Sequence, residues 1–573
     1  MELAAGFAPT TRDDWRALAM EVLRKSGVET VSPEEALSTT TYDGVTVAPL
    51  YDLDDLPGHP GPPGVPPYVR GSRAVTGWDV RQRHAVPDPE AVLADLENGV
   101  TSLWLVVGDG AIPAGALGTV LKDVYLDLVP VVLEAGEHVR EAAEALFALA
   151  AARGTALTGN LGASGAAGAE LALRCAAGFP GMRAVTVDAT PYHDAGGSDA
   201  EELGCSIARG VAELRVLTGA GLSVEQALGQ IEFRYAATAD QFATIAKLRA
   251  ARRLWARVAE VCGAAGHGGQ RQHAVTSSAM MTARDPWVNM LRTTLACFAA
   301  GVGGAEAVTV QPFDARLGLP DAFSRRIARN TQSLLLEEAG VGRVIDPAGG
   351  SWYVERRTDG LAERAWAWFQ EIEAAGGIDA AAAPVSARIA ATRDRRAADI
   401  ARRRLPITGV SEFPNLHEKP LHRPPAGTAK PGIVRYAEEF EALRDLADAQ
   451  PERPKVFLAT IGPIAAHTAR AAFAANLFQA GGLATETAGP GTDPEQIATA
   501  FAVSGAAVAC LCSSDKLYAQ HAAAVAAALR RAGAKKVWLA GKGEYDGVDA
   551  TLHAGCDALH VLRTTFDDLE VTR

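Results

Sequence analysis

The sequence predicts an α/β protein: one large barrel, then a smaller, doubly wound parallel sheet. Three observations carry that prediction. Between residues 72 and 346 short apolar runs alternate with helical patterns, and a βα series of that length fits a single barrel better than an open sheet. From Lys455 the alternation restarts with KVFLAT, an amphipathic helix, and the strand-like runs AAVACLC and KKVWLAG. That order is the sign of a doubly wound sheet, whose ligands sit at the carboxyl ends of its strands. Between the two units, residues 405–453 are dense in proline and lack periodicity, as an interdomain linker does. The expected boundaries are 1–67 for a leader helix and extended arm, 68–404 for the barrel, 405–453 for the linker and 454–573 for the second domain.

Taken in order, TRDDWRALAMEVLRKSG has an N-cap threonine, acids in its first turn, apolar residues at helical spacing and a closing Gly27. The Pro- and Gly-rich stretch to Pro67 reads as an extended or wrapping arm. Candidate barrel strands include residues 102–107, 128–133, 184–190 and 307–312, with helices over 240–261 and 289–301. Helices continue over 358–404, and no fixed-period repeat is present. Three further segments invite a functional reading and receive a plainer one. The basic run KLRAARRLWAR (247–257) reads as a solvated or subunit-facing helix side rather than a phosphate grip. His267 and His273 lie in a Gly-rich stretch with no Cys or carboxylate between them and read as loop residues, not metal ligands. NLGASGAAG (160–168) lacks the Lys-Ser/Thr of a P-loop.

Composition narrows the partners. Hydrophobic residues make up 48% of the 573, enough for sizeable cores, and the net charge of −13 argues against nucleic acid or an anionic membrane surface. No apolar run reaches membrane-spanning length, and the N-terminus lacks a basic-then-apolar signal pattern, so a cytoplasmic location is expected. The seven cysteines are scattered; Cys510 and Cys512 are expected on opposite faces of a strand, and all seven as free thiols.

Longer segments carry a family resemblance. FRYAATADQFATIAKLRAARRLWARV (233–258) is read as a long helix with its start at Asp240. RDPWVNMLRTTLACFAAGVGGAEAVTVQPFD (284–314) and FSRRIARNTQSLLLEEAGVGRVIDPAGGSWYVE (323–355) follow, with TYDGVTVAPLY and LPITGVSEFPN in the same order along the chain. Together these resemble the adenosylcobalamin-dependent acyl-CoA mutases, methylmalonyl-CoA mutase above all, from about Tyr42 to the C-terminus. The resemblance implies a (β/α)8 TIM barrel that threads the CoA arm down its axis, capped by a flavodoxin-like cobalamin domain. It also implies radical chemistry in which the cofactor carries the difficult step and the protein positions and shields it.

Against that family pattern, both halves of the site are eroded. The cobalamin loop Asp-x-His-x-x-Gly falls on Ile464, Ala466 and Ala469, with His467 one place off the cobalt-ligating position. The Ser-x-Leu that lines the cofactor tail becomes Ser513-Ser514-Asp515, and a later Gly-Gly becomes Gly541-Lys542. In the barrel, Arg83 stands where catalytic members have a tyrosine, while Tyr192-His193 matches the family's Tyr-His pair and is read as vestigial. No catalytic, cofactor-binding or metal residue is therefore expected in this chain. The pattern resembles the cofactor-free small subunit of heterodimeric members. It implies a homologous catalytic large subunit that binds adenosylcobalamin and the acyl-CoA. Two alternatives stay open: an independent mutase with a displaced ligand such as His467, and a CoA-binding regulatory or assembly protein.

Overall fold

The computed structural model describes residues 10–58, 60–426 and 432–571. Calls on the start of the leader, on His59 and on residues 427–431 of the linker lie outside the described residues. Eight parallel strands close into a barrel: β1 (Asp79–His84), β2 (Ser102–Val106), β3 (Val131–Glu134), β4 (Gly159–Ala163), β5 (Met182–Asp188), β6 (Ile231–Ala237), β7 (Gln272–Thr276) and β8 (Ala307–Thr309). Ala307 closes the ring by standing opposite both Asp79 and His273. The pleat sorts each strand: in β2, Leu103 and Leu105 join the core under the helices, while Trp104 packs with Val132 and Val275 inside the bore. β4 hides in a Gly-rich sequence for a steric reason. A Cβ at Gly159 or Gly162 would fall 1.9 Å from the Val131 carbonyl oxygen or 2.1 Å from that of Leu133, so only glycine lets β4 reach β3.

Several expectations are corrected here. Residues 233–237 belong to β6, and the helix starts after its N-cap Asp240 as Gln241–Val261. Three of its basic residues do not face solvent: Lys247, Arg249 and Arg252 are fully buried, while Arg253 and Arg257 keep contact with water. Lys247 meets Asp199 and Glu202, Arg249 meets Asp346 and Glu355, and Arg252 donates to the carbonyls of Tyr68, Val69 and Gly303. Sequence periodicity could not show this, because the carboxylates come from elements far along the chain. His273 is likewise a bore residue of β7, not a loop residue, while His267 stays exposed.

The leader forms helix Arg12–Lys25, with Thr11 and Asp14 in a reciprocal capping box. The arm after it lies on this chain's own barrel. Tyr42 donates to Asp399, Asp43 accepts from Ala200 N, and the carbonyls of Tyr68 and Val69 bind Arg252.

The second domain has parallel strands β9 (Lys455–Thr460), β10 (Ala484–Thr487), β11 (Val508–Cys512), β12 (Lys536–Ala540) and β13 (Ala550–Leu552), in the order β10-β9-β11-β12-β13 of flavodoxin-like sheets. Helices Ile464–Ala480 and Ala558–Asp568 cover one face; Pro494–Ser504 and Asp515–Arg531 cover the other. Cys510 and Cys512 lie on the same face, in the same core, because residues two apart in a strand point the same way. The expected linker also contains a helix, Glu438–Asp448, whose Phe440 and Leu443 pack into this domain. That helix fastens the domain to the barrel: Glu441 accepts from Ala283 N and Arg284 N, and Arg284 pairs with Asp445 and Asp448.

Candidate functional site

Two places in this architecture are built to hold ligands: the carboxyl-terminal mouth of the barrel, and the carboxyl edge of the sheet at the β9/β11 switch point. At the barrel mouth lies a cavity of about 570 Å³. Trp104, Ala236 and Val275 line it, with Thr190, Ser277, Ser278 and Gln311 as polar groups and Val310, Met281 and Leu317 as apolar wall.

Side chains from seven strands cross the bore. Arg81 of β1 pairs with Glu232 of β6 at 2.8 Å. The Trp104 ring receives two guanidiniums, Arg234 at 4.2 Å and Arg83 at 5.2 Å. Arg83 reaches Glu134 at 3.4 Å, and Arg234 donates to Asp188 at 3.0 Å and to His273 Nδ1 at 3.2 Å. His273 Nε2 then meets Thr309 Oγ1 at 2.8 Å, and its ring stands edge-on to Trp104. Burial would raise the Glu232 carboxyl, but Arg81 more than offsets it and holds it low. Sequence reasoning singled out Arg83, took His273 for a loop residue, and missed Trp104, Glu232 and Arg234. A signal was available: Arg81/Arg83 and Glu232/Arg234 are charged pairs at the period of a strand, so each pair shares one face.

The retained Tyr192-His193 pair sits on the short helix Thr190–Asp194, just after β5, and the two side chains part company. Tyr192 has Cys205 and Arg209 as neighbours. His193 is buried, with Nε2 2.7 Å from Ser277 Oγ, so it meets the cavity only through that serine. Its Nδ1 lies 3.9 Å from Glu202, too far for a hydrogen bond. Burial, reinforced by Lys247, pushes His193 down to about 3, so the ring is neutral. Burial also pushes Glu202 up to about 7, only partly offset by Lys247 at 2.7 Å.

At the sheet edge the helix begins at Ile464, with Pro463 as N-cap. Ala466 and Ala469 therefore lie within a helix rather than a loop. His467 is 9% exposed, and neither ring nitrogen has a hydrogen-bond partner among the described residues. Burial lowers its pKa. The loop ends are bridged from within. Arg470 donates to the Ser513 carbonyl at 2.9 Å and to Asp515 at 2.7 Å. Its guanidinium lies 5.1 Å from the Tyr518 ring and close against Gly541, where a Cβ would come within 2.9 Å of Nη1. The Tyr518 hydroxyl accepts from Ser513 N and lies within hydrogen-bond distance of the Leu511 and Ala540 carbonyls; Ser513 Oγ donates to Ile461 O at 2.7 Å. Lys542, the other substituted position, is exposed. The Gly-rich turn after β4 is not an anion site: the Glu213 carboxylate already accepts from Gly165 N at 2.8 Å.

Comparison with known proteins bears on both places. The family model described as methylmalonyl-CoA mutase matches residues 119–475. The chain is 57% identical to the methylmalonyl-CoA mutase small subunit of Streptomyces virginiae, over 100% of this chain and 98% of that one. It is 40% identical to the small subunit of Propionibacterium freudenreichii subsp. shermanii, over 100% and 97%. A protein of Rhizobium meliloti named methylmalonyl-CoA mutase is 31% identical over 72% of this chain and 65% of its own. With a family match over more than half its length, and these identities over the whole of it, the chain belongs to the methylmalonyl-CoA mutase family.

Proposed function

We propose that this chain is the supporting, non-catalytic partner in a heterodimeric mutase. A homologous large subunit binds adenosylcobalamin and interconverts (R)-methylmalonyl-CoA and succinyl-CoA by a radical route, in the cytoplasm. The observation that carries this reading is the belt across the bore: a CoA arm threaded down the axis would have to displace Trp104 and break the Arg81–Glu232 and Arg234–Asp188 pairs. Removing buried, paired charges from their partners is costly, so the belt opposes entry.

The sheet edge supports the same reading, because its residues do not fit a corrinoid held by a protein histidine. Alanine occupies position 466, and Arg470 and Tyr518 span the space a nucleotide tail would need. His467 is a poor substitute ligand, since one residue along a helix turns a side chain by about 100°. The name "small subunit" carried by relatives of near-equal length supports a large-subunit partner. Of residues 1–67, the leader helix Arg12–Lys25 is the best-placed contact, with Leu18 66% and Val22 63% exposed.

The test is cobalamin binding and mutase activity of the purified chain, alone and mixed with the large subunit. A colourless, inactive chain that forms an active one-to-one complex bears the reading out. Cobalamin bound by this chain through a protein histidine overturns it. Deleting the leader helix should abolish co-purification, and an intact complex after that deletion would remove its contact role.

A further inference from the structure

The barrel mouth keeps a cavity that a purely structural role does not require. At about 570 Å³ it is roomy for a small metabolite, and Trp104, flanked by two guanidiniums, is part of its lining where it meets the bore. Its charge is lopsided: Arg83, Arg316, Arg325 and Arg435 line it against Asp88 and Asp194. Arg83 and Arg435 have carboxylate partners in Glu134 and Glu441. Arg316 and Arg325 have none among the described residues; Arg325 makes only a 3.4 Å contact to the Pro320 carbonyl. Partial burial and the nearby Arg435 lower the Arg316 pKa, only partly offset by the more distant Glu441 and Glu438, neither of which forms an ion pair with it. Ser277, held by His193, and Ser278 offer hydroxyls deeper in, and the Val310–Met281–Leu317 wall suits carbon rather than inorganic phosphate.

We propose that this cavity binds a small organic acid, one or two carboxylates on a short carbon chain, taken up free of coenzyme A. The arginines at the rim receive a carboxylate as a planar fork does, and the apolar wall covers the chain. The belt beneath Trp104 leaves no path for a pantetheine tail, so the free acid, not its thioester, is the ligand. This site stands whether or not the partner chain carries the catalysis.

Calorimetric titration of the full-length chain with succinate, butyrate, butyramide and coenzyme A tests it. Succinate is expected to bind saturably, butyrate more weakly and uncharged butyramide not at all. Arg316→Gln with Arg325→Gln should weaken succinate binding by at least about tenfold, at an unchanged melting temperature because both side chains lie near the surface. No saturable binding of either acid up to about 10 mM, or equal binding by the double variant, overturns the proposal. Coenzyme A competing with succinate overturns it too, because the bore would then be open.

Discussion

Across the barrel bore, charged side chains from four strands pair with each other, and two of them stack on one tryptophan. Along the sheet edge, three loop ends are tied by Arg470, Tyr518 and Ser513 to backbone carbonyls and one exposed carboxylate. The first is a largely buried ionic network, where each member depends on its partner; the second is a set of hydrogen bonds, buried at Ser513 and Tyr518 and near solvent only at Arg470 and Asp515. The two places are therefore held by very different energies. Loss of Arg81 or Glu232 strands a charge in the core, whereas loss of Arg470 leaves groups beside solvent that water can satisfy.

The largest expected effect follows directly. Glu232→Leu leaves buried Arg81 with only Asp79, at 3.9 Å, as a carboxylate, and should destabilise the barrel by about 3–5 kcal/mol, read as a fall in its urea unfolding midpoint. Arg81→Met combined with Glu232→Leu should recover most of that loss. A single variant as stable as the parent would mean the belt carries no such strain, and the contrast with the sheet edge would collapse.

How much of this was legible beforehand differs between the same two regions. The three central strands of the sheet were read because they are apolar runs, whereas the edge strands β10 and β13, ATET and ATL, were not, and the alanine at position 466 is visible as soon as the helix after it is aligned. The bore was read poorly. Its strands mix charge with apolar residues, as in Arg234 beside Phe233, and a charged residue in sequence normally signals a surface. Only the closed barrel brings Arg234 to Asp188, 46 residues away, and Arg81 to Glu232, 151 away. Lys247 and Arg249 were misread for the same reason. β4 escaped notice because its glycines serve close strand approach rather than strand propensity.

A second test concerns the group that joins the cavity wall to the buried charges. His193 is pushed down to about 3 from its ordinary 6.5, so its ring should stay neutral in the folded chain at pH 4–5, where exposed imidazoles are protonated. Selective His labelling and NMR, with His193→Gln to assign the signal, checks this. The unfolded chain takes up that proton near 6.5. The contribution of this group is therefore full above about 6.5 and is lost as pH falls towards 3, with a slope approaching 1.4 kcal/mol per pH unit. A His193 signal titrating near 6.5 would mean that the wall behind Ser277 is open to water.

At the sheet edge the effects shrink. Arg470→Ala should cost about 1 kcal/mol or less, since Asp515 is 72% exposed and water replaces its partner. Rebuilding the loop by Ile464→Asp, Ala466→His and Ala469→Gly should leave the chain colourless while Arg470 and Tyr518 still bridge the loop ends. A corrinoid spectrum from that triple variant alone would show that the bridge is no barrier.

The smallest effect expected is none at all, and it separates the two regions most simply. Cys510 and Cys512 lie fully buried on β11, directly below the Ser513 loop end, while Cys205 and Cys297 are buried in the barrel layer. Thiolate is the reacting form, and burial pushes Cys175 up to about 11 and Cys205 to about 12, and raises Cys297 and Cys510 as well. A thiol-disulfide reagent at neutral pH should then modify exposed Cys262 quickly and half-buried Cys556 slowly, with the other five silent until denaturant is added. The barrel thiols are silent because a packed core covers them. The pair on β11 is silent only if the edge above it stays tied. Fast reaction that disappears in Cys510→Ser with Cys512→Ser would show that the edge opens in solution, and that the bore alone is what keeps a ligand out.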